Sequence, residues 1–256
     1  MNQTLSLAGR TLLITGASSG LGLEFAKAAA AAGASLALAA RRTDRLTVLA
    51  ADIEAAGGRA VAVTMDVQDE ASVIAGFDQA QAALGPIDSV IANAGMNSVG
   101  LAAEIDIAEF QNVLSVNLTG AFLTAREGAR RMMAAFPREA QRGRIVLVAS
   151  IGAHMVLPGA AAYCASKAGV AMLGKSLARE WANRGINVNV VCPGYIETEL
   201  NADWFHSEGG KKQLAGFPRR RLMEEADLDP VVLYLLSDAA RTITGSVITL
   251  DDGQSL

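Results

Sequence analysis

Tyr163 and Lys167 stand four residues apart in Tyr163-Cys164-Ala165-Ser166-Lys167, with Ser150 a short loop upstream. On a helix that spacing puts the phenol and the ammonium on one face, a turn apart. A free phenol, with a pKa of about 10, is a poor proton donor or acceptor near neutral pH. A neighbouring ammonium favours the phenolate by charge attraction without being consumed. Bringing the phenol to neutrality takes roughly 3 pKa units, or about 4 kcal/mol of differential stabilisation. One surface lysine falls short of that, whereas a lysine in a partly dry cleft, joined by a second positive charge, does not. Alone, Tyr-x-x-x-Lys is also what an amphipathic helix shows by accident, with Tyr half-buried and Lys solvated. The elements around it have to decide.

Apolar runs of strand length cover 11–15, 35–40, 60–64, 89–92, 144–149, 187–191 and 247–250. Most lack polar/apolar alternation, as expected of parallel strands covered on both faces. Between them, 21–32, 45–56, 70–84, 108–135, 162–184 and 229–237 read as helices. This alternation predicts an α/β fold: a single doubly wound (Rossmann) domain over 1–256, with a seven-stranded, mostly parallel sheet and helices on both faces. Ligands of such sheets bind beyond the carboxyl ends of the strands, so chemistry is sought just after each strand.

After the first strand, Thr15-Gly16-Ala17-Ser18-Ser19-Gly20-Leu21-Gly22 opens directly into a helix. Glycines let the backbone approach a pyrophosphate, and the helix start offers unpaired N–H groups to the anion. The spacing is Thr-Gly-x-x-x-Gly-x-Gly, and Gly16, Ser18, Ser19, Gly20 and Leu21 are the candidate dinucleotide contacts. A plain glycine-rich turn is the other reading. After the second strand stands Ala39-Ala40-Arg41-Arg42, with no carboxylate for a ribose 2′-hydroxyl. Two guanidiniums suit a 2′-phosphate, which favours NADP(H) over NAD(H); otherwise they are solvated at a helix start capped by Thr43.

Asp66 and Val67 follow the third strand, to take an adenine amino group and cover its ring, with Asp66 also open to being a helix N-cap. Asn93 and Gly95 follow the fourth and turn the backbone toward the cofactor. Asn117 lies inside a long apolar helix, where an amide needs partners if buried. Beyond the sixth strand, Ile196 and Thr198 are candidate cofactor contacts, Thr198 for a carboxamide.

Across its 256 residues the sequence is 51% apolar and 19% charged, enough for a sizeable core. A net charge of −4 argues against a nucleic-acid partner. The N-terminus lacks a basic region followed by an apolar run, and the most apolar window, 25–40, is too short to span a bilayer. Cys164 and Cys192 are too few for a disulfide framework and read as reduced thiols, so a soluble, cytoplasmic protein is expected. Two isolated histidines and two isolated cysteines make no metal site.

This ordered set resembles the classical short-chain dehydrogenase/reductase family along essentially the whole chain. The resemblance runs through the glycine motif, Asn93-Ala94-Gly95, Asn117, Ser150, Tyr163-x-x-x-Lys167 and Pro193-Gly194. Two departures are Ala92, where the family usually has Asn, and Asp252-Gly253-Gln254 for the usual Asp-Gly-Gly. The resemblance implies Tyr163 as general acid/base for hydride transfer between nicotinamide and a carbonyl or secondary alcohol. Lys167 would hold the nicotinamide ribose and lower the Tyr163 pKa. Ser150 would orient the substrate oxygen, and Asn117 would hold a water linking Lys167 to solvent. It also implies a homotetramer (or homodimer).

Specificity is expected in the loop between Ser150 and Tyr163, with His154, and in a substrate lid over 195–221, with Tyr195 and Trp204. The lid also holds Phe205, Phe217 and the basic residues Lys211, Lys212, Arg219, Arg220 and Arg221. The aromatics suit an apolar carbonyl substrate, or else pack the lid itself. The basic cluster suits acyl carrier protein or coenzyme A, and hence a 3-oxoacyl-thioester reductase, or is simply solvated. A non-catalytic NADP(H)-binding scaffold or sensor is the third possibility, which a complete set of Asn117, Ser150, Tyr163 and Lys167 opposes.

Overall fold

A computed structural model of the protein describes residues 5–197 and 202–256. The strands are β1 (Thr11–Thr15), β2 (Ser35–Ala40), β3 (Arg59–Thr64), β4 (Ser89–Ala92), β5 (Gly143–Val148), β6 (Ile186–Pro193) and β7 (Val247–Leu250). Among the described residues they form one sheet in the order β3-β2-β1-β4-β5-β6-β7, with every pairing parallel. The expectation of a mostly parallel sheet thus becomes a wholly parallel one.

Parallel pairing demands a crossover after each strand, and helices supply it on both faces. The helices up to β5 are α1 (Gly20–Ala31), α2 (Thr43–Ala55), α3 (Glu70–Leu84), α4 (Ile107–Leu114) and α5 (Gly120–Ala135). Beyond β5 come α6 (Ala161–Trp181), α7 (Ala202–His206), α8 (Glu208–Gly216) and α9 (Asp229–Leu236). Side-chain alternation along each strand divides the interior into two cores. Leu13, Ala37, Val63 and Val90 point to one face with Phe77 and Met132. Leu12, Leu36, Leu38 and Ile91 point to the other with Phe25 and Leu46. A strand that feeds both cores has no polar face to show, which is why its sequence reads as an unbroken apolar run.

The strand order reverses direction at β1 and β4, so the crevice lies beyond their carboxyl ends. At the opposite end of the sheet sits a buried ionic cluster. Arg144, 1% exposed, donates to the carbonyls of Gln141, Gly143 and Ser237. Burial lowers its pKa to about 10, and nearby Asp88 accepts from Arg142 at 2.7 Å. This cluster ties strand beginnings together and leaves the strand ends to bind ligands.

Four local expectations are corrected. The stretch 108–135 is not one helix: a π-helical turn, Ser115–Thr119, separates α4 from α5. Its apolar periodicity nearly matches that of an α-helix, so the sequence does not betray it. Asp69, not Asp66, caps α3, accepting from Ala71 N at 3.0 Å. Thr43 is the first residue of α2 and bonds Thr64 across the loop at 2.7 Å, so it is not a cap. The segment after β6, read only as a lid, carries the short helices α7 and α8.

Candidate active site

Gly16, at φ +71°, takes a left-handed conformation that glycine tolerates best, and it leads from β1 into the loop before α1. Gly22, one turn into α1, lies against the Gly16 carbonyl so closely that any Cβ would collide with it. Strand and helix are thereby brought close enough for backbone N–H groups to line a shallow cradle. Thr15 locks this cradle to β4. Its Oγ1 accepts from Asn93 N at 3.1 Å and Ala94 N at 3.2 Å, and Asn93 Nδ2 returns a bond to Thr15 O at 3.0 Å. Sequence reading placed Thr15 at the strand end and at the head of the glycine motif, without this tie to β4.

Ser18 and Ser19 face the end of β2. Arg42 donates to Ser18 Oγ from Nε at 3.2 Å and Nη2 at 2.9 Å, and from Nη2 to Ser19 Oγ at 2.7 Å. Arg41, next to it, is exposed. Asp66 turns the chain after β3 by accepting from Gln68 N at 3.0 Å, and buried Val67 packs on Gly120 at the start of α5.

Asn117, 1% exposed, sits in the π turn, and its amide is fully engaged. Oδ1 accepts from Met96 N at 2.8 Å, while Nδ2 donates to Met96 O and to Ser166 Oγ, both at 2.9 Å. Ser166 then donates to Tyr163 O at 2.7 Å, which joins the π turn to the start of α6. Lys167, one turn after Tyr163 and 4% exposed, donates to Val148 O at 2.9 Å. Its Nζ lies 5.6 Å from the centre of the Tyr163 ring. Ser150 lies near enough to the Tyr163 hydroxyl to pull its pKa down, and Ser150 Oγ accepts from Gly152 N at 3.1 Å.

Burial governs the electrostatics here. It pushes the Tyr163 phenol above its ordinary pKa, with Ser150 pulling the other way. It lowers the Lys167 ammonium to about 8 and raises the Cys192 thiol at the end of β6. The lowering of Tyr163 expected from Lys167 is therefore not the resting condition of the chain by itself.

Of the substrate-side candidates, Tyr195 is close enough to Tyr163 for their charges to interact. Its ring stacks on Phe217 at 5.4 Å and meets Phe205 edge-on at 5.6 Å. Trp204 is 53% exposed and donates to Gln213 at 2.8 Å. His154 is exposed, and its charge acts on Asp251 near the C-terminus. A cavity of about 480 Å³ runs along His154, Met155, Val156 and Cys164 but does not include Ser150 or Tyr163. Ile196, buried, pairs with Met223, and Thr198 lies outside the described residues.

Residues 10–209 match the family described as short chain dehydrogenase. The chain belongs to that family. It is 34% identical over 250 residues to D-threitol dehydrogenase from Mycolicibacterium smegmatis, covering 98% of this chain and 94% of that protein. It is 37% identical to 3beta-hydroxysteroid dehydrogenase 1 from Eggerthella lenta, covering 98% and 95%. Among solved structures, gluconate 5-dehydrogenase from Burkholderia cenocepacia, in complex with NADP and tartrate, superposes with a TM-score of 0.92. That neighbour is 31% identical, with 98% of this chain and 96% of the other covered. This short-chain dehydrogenase is accordingly an oxidoreductase that uses a nicotinamide cofactor, and the glycine-lined cradle at the β1 end suits such a dinucleotide.

An acidic group backs the cradle. Asp229 at the start of α9 has its carboxyl raised to about 6 by burial, then by Glu24 and Glu225. Because its folded pKa lies above the ordinary 3.8, its favourable contribution is complete below 3.8 and is lost as pH rises through about 6. Asp229→Asn is expected to raise the melting temperature at pH 7 and to change it little at pH 4. Equal shifts at both pH values in thermal melts would show that Asp229 does not titrate in this window.

Proposed function

We propose that this dehydrogenase is an NADP(H)-dependent reductase of ketones, running as a secondary-alcohol dehydrogenase when alcohol is in excess. The carrying observation is Tyr163 beside Ser150, with the buried Lys167 ammonium 5.6 Å from its ring. When bound, the reduced nicotinamide supplies the hydride. Tyr163 gives its phenolic proton to the substrate oxygen as negative charge develops there, and takes it back in the reverse direction. Ser150 Oγ accepts from Gly152 N, which fixes the side chain so that its hydroxyl proton can turn to the same oxygen when substrate is bound. Lys167 holds the nicotinamide ribose and supplies positive charge beside Tyr163. The Asn117 side chain is spent on Met96 and Ser166, so the relay water would be held by the main chain of Asn117 rather than by its amide.

Arg42, gathered with the hydroxyls of Ser18 and Ser19, together with Arg41, supports a 2′-phosphate site and hence NADP(H). Asp66, Val67, Asn93, Gly95, Ile196 and Thr198 complete the proposed cofactor contacts. Asp252 disfavours the 3-oxoacyl-thioester reading: it pairs with Arg219 at 3.0 Å and Arg221 at 2.8 Å, and Lys211 pairs with Glu208 at 2.9 Å. Much of the basic cluster is thus neutralised internally. A scaffold or sensor needs no buried proton donor, so the complete set of four residues speaks for turnover.

Tyr163→Phe is expected to lower turnover of a ketone by roughly 10²–10⁴-fold while NADPH affinity stays within about threefold. Undiminished turnover would remove Tyr163 from the mechanism. Arg41→Ala is expected to weaken NADPH roughly tenfold or more and NADH hardly at all, since only NADPH carries the 2′-phosphate. Equal losses for the two cofactors, measured by fluorescence titration, would overturn the preference.

A further inference from the structure

The chain ends in a turn whose side chains grip the segment carrying Tyr195. Gln254 is 5% exposed. Its Oε1 accepts from Tyr195 N at 2.5 Å, and its Nε2 donates to Tyr195 O and to Arg221 O, both at 3.3 Å. One amide thus holds the peptide groups on both sides of the Tyr195 Cα, which fixes the backbone there and hence the direction in which the side chain leaves it. Gly194 makes this approach possible, because a Cβ at that position would strike Gln254 Oε1.

A second tie reinforces the first. Asp252 takes a left-handed conformation, φ +53°, that a non-glycine residue seldom adopts. Its carboxylate pairs with Arg219 and Arg221 just before the segment returns to the body of the protein. Gly253 follows at φ +81°. Asp252 thus takes a backbone conformation that glycine would adopt more readily. Met223 N donates to Tyr195 O at 3.1 Å and closes the base of the loop.

We propose that Gln254 is a positioning residue of the active site. Gripping Tyr195 on both sides, it holds that ring against Phe205 and Phe217 as the wall of the substrate site, with Asp252 as the second tie. This inference rests on Tyr195 facing the reacting carbonyl, but its decisive test needs no turnover. Full-length, cofactor-free protein is digested with limiting trypsin and cleavage is followed site by site by mass spectrometry. Lys211 and Lys212 report on the segment, and Lys175 on the exposed face of α6 serves as the internal control.

Gln254→Met keeps the length of the side chain but loses all three bonds, and is expected to speed cleavage at Lys211 and Lys212 roughly tenfold. Gln254→Glu keeps the acceptor for Tyr195 N and should fall between Met and wild type. Asp252→Gly suits the backbone, so its folding is not at risk, and it should speed the same cleavages about threefold. Lys175 should stay within twofold throughout. On any ketone that is turned over, Gln254→Met should raise KM about fivefold or more with kcat within twofold. Cleavage at Lys211 and Lys212 within twofold of wild type in both Gln254→Met and Asp252→Gly would overturn the proposal. So would an equal rise at Lys175, which marks general loosening.

Discussion

Lys167 is a cation held at 4% exposure with a backbone carbonyl, Val148 O, as its hydrogen-bond partner. Burying an ammonium among neutral groups is costly, and the lowering of its pKa to about 8 expresses that cost. The surrounding architecture makes the burial tolerable. The end of β5 offers a carbonyl that the ladder no longer uses. Gly95 lets the β4 loop pass so near that a Cβ there would lie 3.4 Å from Nζ. The π turn brings Asn117 to the same place, and Ser166 fastens that turn to the helix carrying Lys167. Loosen any of these and water reaches the ammonium, which weakens the one charge poised beside Tyr163.

Two kinds of rigidity serve the site. The first is the parallel sheet, whose double core fixes the strand ends, with the Thr15 hydroxyl tying β1 to β4 where the order reverses. The second is a set of polar side chains that bond groups on other elements: Asn117 the main chain of Met96, Arg42 the hydroxyls of Ser18 and Ser19, Gln254 the main chain of Tyr195. A buried amide that satisfies distant backbone groups orients chain segments in a way that apolar packing alone does not.

Much of this was legible in the sequence, for physical reasons. Strands covered on both faces advertise themselves as short apolar runs, and β1, β2, β4 and β7 fell where such runs predicted. Tyr163 and Lys167 could be paired because helix geometry is rigid over one turn. The π turn was hidden, because one extra residue in a turn hardly disturbs the apolar period. Asp66 and Asp69 were confused, because either aspartate can bond a backbone N–H at a helix entry. Trp204 stood out by its type, but its partner Gln213 lies nine residues on, and only the fold of the lid reveals that bond. Ser166 and Gln254 carried no signal: their roles come from neighbours 49 and 59 residues away.

The electrostatic core of this picture is that burial holds Tyr163 protonated in the free chain and that positive charge from the oxidised cofactor, acting with Lys167, brings the phenol into range. The measurement that tests it most directly is an ultraviolet difference titration of wild type against Tyr163→Phe, with and without saturating NADP+. Without cofactor, Tyr163 should ionise above the ordinary tyrosine value of about 10, and with NADP+ its titration should move clearly below that value. A phenol that titrates at the same pH in both conditions would contradict this assignment of charge and proton.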